Sequence, residues 1–184
     1  MIVLSKRTKQ FILACLVPIG ILLGMTIIPI YTLVTGEEII LRTIPVDPTD
    51  LFRGDYVVLR YEAEEIQSSL VEKEVRTELD NGRYDLEVYV SLEYKDGTHA
   101  PTRVSLNKPL SGLYLKGELS YIGPSWNGVV DGGEVAYISY SLDKYFVEDN
   151  TGLELEEASR KGNILAKVKV KRGYAVLTDL SIVN

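Results

Sequence analysis

Three carboxylates and an arginine stand close together ahead of residue 56: Asp47, Asp50 and Asp55, with Arg53 between the last two. Carboxylates that converge on one loop can hold a hard cation such as calcium, or pair with a basic residue of another protein. Their spacing matches no calcium-binding loop, and Asp47-Pro48-Thr49-Asp50 has the composition of an ordinary turn. Gly54 offers a backbone free to turn sharply before a strand, and Asp55 can accept bonds from nearby N–H groups that hold the turn. In the strand that follows, period-two geometry puts Tyr56 and Arg60 on one face and Leu59 and Tyr61 on the other. Turn and strand account for these residues without a ligand; docking to a partner is the function they could add.

Other chemistry finds few residues to work with. His99 is the only histidine and sits beside Asp96-Gly97, where a solvated loop histidine is expected. No Gly-x-Ser-x-Gly elbow accompanies it, so no Ser-His-Asp triad is expected and no catalytic residue is assigned. One histidine and one cysteine are too few for a zinc site, and no metal is expected. Neither a phosphate-cradling glycine loop nor a dinucleotide fingerprint is present, so no cofactor is expected. Twelve tyrosines and Trp126 keep open a stacking surface for cell-envelope glycan, Trp126 lying in the loop Gly123–Gly128. Tyrosine is also a favoured strand residue, which accounts for most of the twelve.

What would position these groups begins with an apolar stretch. Phe11–Val34 spans 24 residues, and from Phe11 to Gly36 there is no charge; about 20 residues suffice to cross a bilayer as a helix. Lys6, Arg7 and Lys9 precede the stretch and Glu37 and Glu38 follow it. The positive-inside rule therefore keeps residues 1–10 cytoplasmic and puts the remainder outside, with residues 11–34 in contact with lipid. The stretch is too long for a cleaved signal peptide and ends without small residues at a cleavage site, so an uncleaved signal-anchor is expected. Cys15 falls inside this span, and only Phe11–Ala14 precede it, which does not suit a lipidation site. The exported part then has no disulfide and must rely on its core. The first ten residues hold three of the 20 Lys+Arg and none of the 26 Asp+Glu, so the rest carries 17 against 26, a net charge of −9. Such a domain is a poor ligand for nucleic acid.

Past Gly36 there is no linker, and alternating patterns dominate. Strands are expected over Ile39–Ile44, Asp55–Glu62, Asp85–Lys95, Leu115–Ile122, Glu134–Leu142, Ile164–Lys171 and Tyr174–Val183. Leu86, Val88, Val90, Leu92 and Tyr94 share one face of the third, which ends at a hairpin signal, Asp96-Gly97. The last two strands flank Arg172-Gly173 as a hairpin, with Ile164, Ala166, Val168 and Val170 facing Tyr174, Val176, Leu180 and Ile182. A capping box at Thr151–Glu154 and a stop at Gly162 predict a short helix over Leu153–Lys161. The first half of Ala63–Leu79 reads as helix by the spacing of Ile66 and Leu70; the second half admits either form. The expected fold is mainly β, barrel- or sandwich-like with one or two short helices, over residues 38–183 and preceded by one transmembrane helix.

Gly54-Asp55-Tyr56-Val57-Val58-Leu59-Arg60-Tyr61 matches every fixed position of the pattern G-D-Y-x-x-L-x-Y. With the lead-in Val46–Arg53, with Tyr114–Gly117 and Tyr145–Val147, and with the closing hairpin around Gly173, the chain resembles the GDYXXLXY family of bacterial proteins over roughly residues 38–182. Glu148-Asp149-Asn150 departs from the Pro-Glu-Gly-like turn expected there. The resemblance implies a membrane-anchored protein that accompanies a multi-pass membrane protein; it implies no activity. The anchor followed by Pro48-Thr49 and Gly54-Asp55 also resembles the layout of signal peptidases. Thr49, however, stands where a nucleophilic serine is required, and no lysine base lies between Lys9 and Lys73. These features favour a non-catalytic accessory subunit; the alternative is an exported module that binds envelope glycan or another small ligand.

Overall fold

A computed structural model describes residues 6–45, 56–125, 133–142, 144–146 and 163–183, with the backbone alone for 6, 8, 9, 11, 13, 56–58 and 144–146. The helix expected over Leu153–Lys161 lies outside them. Helix α1 runs from Lys6 to Thr35 and includes Pro18 and Pro29. Its apolar side chains are bare, Leu22 being 64% and Met25 69% exposed. Its segment Ala14–Thr35 has a mean hydropathy of 2.1, long and apolar enough to cross a membrane.

Only Gly36 separates α1 from strand β1 (Glu37–Ile44). The other strands are β2 (Tyr56–Val58), β3 (Arg60–Tyr61), β4 (Glu65–Gln67), β5 (Leu86–Lys95), β6 (Thr98–Ser105), β7 (Leu113–Pro124), β8 (Glu134–Ser139), β9 (Lys144–Phe146), β10 (Ile164–Lys171) and β11 (Tyr174–Ile182). They form an antiparallel sheet β4-β8-β7-β5-β6, a second one β11-β10-β1-β3, and the pair β2-β9. The inner faces of the two larger sheets share one core. Val88, Val90, Leu115, Leu119 and Ile138 come from the first, and Ile39, Leu41, Ala166, Val168 and Val170 from the second. Alternation makes this layering possible, because every second residue of β10 is buried.

Contacts at two corners join the sheets. The N–H of Ile40, on the edge of β1 that β3 leaves unpaired, donates to Nδ1 of His99 on β6 (3.1 Å). His99 is thus a half-buried strand residue opposite Tyr94, its ring 5.1 Å from that tyrosine's, rather than the solvated loop residue expected. At the other corner the N–H of Lys116 donates to the Gly173 carbonyl (2.9 Å). Gly173 has φ +86°, and a Cβ there would lie 2.8 Å from the Tyr114 ring, so both its conformation and its close approach require glycine.

Several expectations need correction. No strand was assigned after the Asp96-Gly97 turn, yet β6 follows it; β6 is an edge strand, where the missing N–H of Pro101 is tolerated. The strand expected over Asp55–Glu62 is two short ones: β2 pairs with β9, β3 with β1, and the chain changes sheets at Leu59. In Ala63–Leu79 the first half is not α-helix but two 3-10 turns (Glu62–Glu64 and Ser68–Leu70) around β4, while helix α2 occupies Lys73–Asp80. β8 ends at Ser139, short of the expected Leu142, and Ser141 adopts φ +57°. In the final hairpin a bulge between Lys167 and Val168 leaves Thr178 out of register. Leu180 and Ile182 face Ala166 and Ile164 as expected, but past the bulge Leu177 and Ala175 take the core side, and Val176 and Tyr174 oppose Lys169 and Lys171. In β5, Val88, Val90 and Leu92 are buried, whereas Tyr94 at its far end is 62% exposed.

Candidate functional site

The segment around Leu59 is anchored from inside. Leu59 and Tyr61 are 1% and 0% exposed, as the alternation predicts, and Arg60 points outward. The Tyr61 hydroxyl donates to the Leu142 carbonyl (2.8 Å) beyond β8. Tyr140 returns the contact, its hydroxyl donating to the Ala63 carbonyl (2.8 Å) just after β3. A buried phenol needs such an acceptor, and these two bonds tie both chain segments together. Burial pushes the Tyr140 hydroxyl well above the ordinary tyrosine range, so it stays protonated and remains a donor. Asp47, Asp50, Arg53, Gly54 and Asp55 lie outside the described residues, as does the side chain of Tyr56.

On the surface, Arg60 lies 3.9 Å from the carboxylate of Glu65, whose side chain is fully buried. The Ser125 hydroxyl donates to the same carboxylate at 3.4 Å. Glu64 turns back to accept the N–H of Tyr61 (3.1 Å). Beside them Glu62 stands 3.8 Å from Arg42, and burial raises its carboxyl pKa against the lowering influence of that guanidinium. A shallow cleft of about 250 Å³ opens here, lined by Leu59, Arg60, Glu64, Ser120, Tyr137 and Ser139. Tyr137 stacks on Tyr121 with ring centroids 4.6 Å apart, and its hydroxyl donates to the Pro124 carbonyl (2.7 Å). Trp126, the residue expected to stack on glycan, lies outside the described residues.

A larger cleft of about 830 Å³ separates the last turns of α1 from the domain. Ile28 and Tyr31 form its helix side; Asp85, Glu118, Lys171 and Arg172 are on the domain side. The junction below it is tight. Thr32 is buried, and the Lys171 ammonium donates to the Thr35 carbonyl (3.1 Å), satisfying one of the helix's last free acceptors. A Cβ on Gly36 would lie 2.4 Å from the Thr32 carbonyl oxygen, a distance that backbone cannot accept.

The alternation expected of Leu59, Arg60 and Tyr61 is found, with Arg60 outward and the other two buried, but Glu64, Glu65, Tyr137 and Tyr140, distant in the chain or assigned to other elements, were not foreseen beside them. Only one signal pointed to the junction, the absence of a linker after Gly36. Among the described residues no group of three His, Cys, Asp or Glu is placed to hold a metal ion.

No curated protein and no solved structure matches the chain. The model of the GDYXXLXY protein family does, over residues 18–180, which include the Gly54–Tyr61 string and all of the β structure up to Leu180 in the last strand. Carrying that string at every fixed position, and matched over nearly its whole length, the chain belongs to the GDYXXLXY family.

Proposed function

We propose that this protein is a single-pass signal-anchored membrane protein whose extracytoplasmic β domain serves as a non-catalytic accessory subunit of a multi-pass membrane protein. The observation that carries this reading is the junction. One residue, Gly36, connects an apolar helix to the first strand, and Thr32 and Lys171 hold the helix end against β10. A domain held this way presents the same surface to a neighbour in the bilayer at all times, which lowers the entropic cost of docking. The helix itself suits packing against other helices: Gly20 and Gly24 are four apart, and an added Cβ at either would meet nothing within 4 Å. Lys6, Arg7 and Lys9 support a cytoplasmic N-terminus. In this reading Arg60 and the turn Gly54-Asp55, with Asp47, Asp50 and Arg53, meet the partner.

The test is purification of the full-length chain from native membranes in mild detergent, beside Asp55→Ala, with mass spectrometry of what co-purifies. A stoichiometric multi-pass protein, lost in the folded variant, is the expected result. A solitary chain would overturn the subunit reading.

The stacked pair Tyr121 and Tyr137 favours a second reading, a binding module for envelope glycan to which Trp126 would add a further ring. Retention on cell-wall material that disappears with Trp126→Ala would support it; equal retention by the variant would count against it.

A further inference from the structure

The cleft between α1 and the domain combines an apolar wall with a charged one. On the helix side Ile28 and Tyr31 are 58% and 49% exposed. On the domain side the charges divide along β7. Lys116 lies next to Gly173 and the hairpin tip, while Glu118, two residues on, pairs with Glu87 in the register of β5 and β7, close to Asp85. Two residues of strand, about 7 Å, separate Lys116, which Glu87 neutralises, from Glu118.

The charges are not all used internally. Lys116 is paired with Glu87 (2.7 Å) and Lys171 with the Thr35 carbonyl. Arg172, Asp85 and Glu118 line the cleft with no ion-pair partner among the described residues. Arg172 and Asp85 moreover hold φ +53° and +55°. At Arg172 the two-residue hairpin turn requires this conformation, and at Asp85 aspartate adopts it readily; asparagine would suit either position.

Depth supplies the ligand class. In the membrane-anchored reading, about 20 residues counted from Phe11 put the edge of the hydrocarbon near Ile30, inside the apolar segment Ala14–Thr35, and Tyr31–Thr35 in the headgroup layer. The cleft therefore opens where phospholipid phosphates and their substituents reside, with the bare apolar flank of α1 leading down from it. We propose that it holds a zwitterionic phospholipid headgroup, with phosphate at Arg172 and the hairpin tip, ammonium at Asp85 and Glu118, and acyl chains along Ile28 and the turns below. An arginine fork matches a phosphate and a carboxylate matches an ammonium, which explains why one cleft keeps unpaired charges of both signs.

This inference rests on the membrane-anchored reading, and the test separates the two. Full-length protein is extracted from membranes after an alkaline carbonate wash, then examined by native mass spectrometry in detergent with added phosphatidylethanolamine, phosphatidylglycerol or the chain-free headgroup glycerophosphoethanolamine. Variants are Arg172→Asn and the pair Asp85→Asn with Glu118→Gln; asparagine keeps both strained positions comfortable, and thermal melts check folding. Expected is one retained phosphatidylethanolamine per chain, about tenfold weaker in either variant, the scale of one charge-assisted contact. Preference for phosphatidylglycerol that survives or strengthens in the Asp85/Glu118 variant would overturn the zwitterion assignment. Equal retention by wild type and both variants would overturn the site. Binding of the free headgroup as tightly as the lipid would assign the cleft to a soluble phosphoamine and overturn the lipid. A carbonate-resistant chain that retains no lipid refutes the site and leaves the anchor standing; release by carbonate refutes both.

Discussion

Tyr61 and Tyr140 clasp each other's neighbourhoods: each hydroxyl donates, at 2.8 Å, to a carbonyl two residues past the other tyrosine, Leu142 for Tyr61 and Ala63 for Tyr140. The arrangement makes the last residue of the Gly54–Tyr61 string a structural member of the core while its neighbour Arg60 stays on the surface.

Removing either hydroxyl strands a buried carbonyl. Tyr61→Phe and Tyr140→Phe should each cost about 1–3 kcal/mol of unfolding free energy. Because both bonds hold the same two segments, the double variant should cost less than the sum. Denaturant unfolding of the detergent-solubilised chain measures all three; full additivity would show that the bonds act independently.

Alkaline pH should act on Tyr140. Burial, assisted by the Glu64 carboxylate, raises the Tyr140 hydroxyl well above its ordinary 10.0, so the folded chain keeps a proton that the unfolded chain releases. Stability from this group is complete below that ordinary value and is lost as pH rises beyond it. Between about pH 9 and about pH 11 the unfolding free energy of Tyr140→Phe should therefore fall less steeply than that of wild type. Parallel slopes would refute the assignment.

Arg60 should separate docking from folding. Its contact with Glu65 is long and its own side chain is 44% exposed, and lysine keeps a positive charge beside the fully buried Glu65 carboxylate, so Arg60→Lys should cost under about 1 kcal/mol while losing the guanidinium fork. Thermal melting should barely move while the yield of co-purified membrane partner drops. A large fall in melting temperature would make Arg60 a structural residue.

The helix–domain junction should not tolerate a side chain at residue 36. With a Cβ at 2.4 Å from the Thr32 carbonyl oxygen, Gly36→Val must push α1 and β1 apart. Limited proteolysis should then cut between Thr32 and Glu38 in the variant but not in wild type, and equal resistance would show that the junction can relax around the methyl groups.

Much of this architecture was legible. The apolar run gave α1, strict alternation gave β5 and β10, and Asp96-Gly97 and Arg172-Gly173 gave their turns, with φ positive at all four residues. The rest failed for identifiable reasons. β6 went unassigned because Thr98–Ser105 does not alternate between buried and exposed residues, so it carries no period-two signal. The extra residue at Thr178 exchanged the faces of half of β11, which a periodicity drawn through the bulge cannot detect. Ile66 and Leu70, four apart, suggested helix, but pairing of β4 with β8 overrode that local preference. At the candidate site, Arg60 and Tyr61 were foreseeable from alternation, whereas Glu65, Tyr137 and Tyr140 reach them only through long-range pairing.

The single glycine between α1 and β1 also bears on mechanics. A domain joined to its helix without a swivel turns with it, so a change of about 10° in helix tilt carries a point about 40 Å away through about 7 Å. Tilt follows the match between apolar length and bilayer thickness, and it shifts when neighbouring helices rearrange. In the membrane-anchored reading proposed above, Gly36, Thr32 and Lys171 would therefore make the chain a lever, in which small reorientations of α1 become large displacements of the β domain.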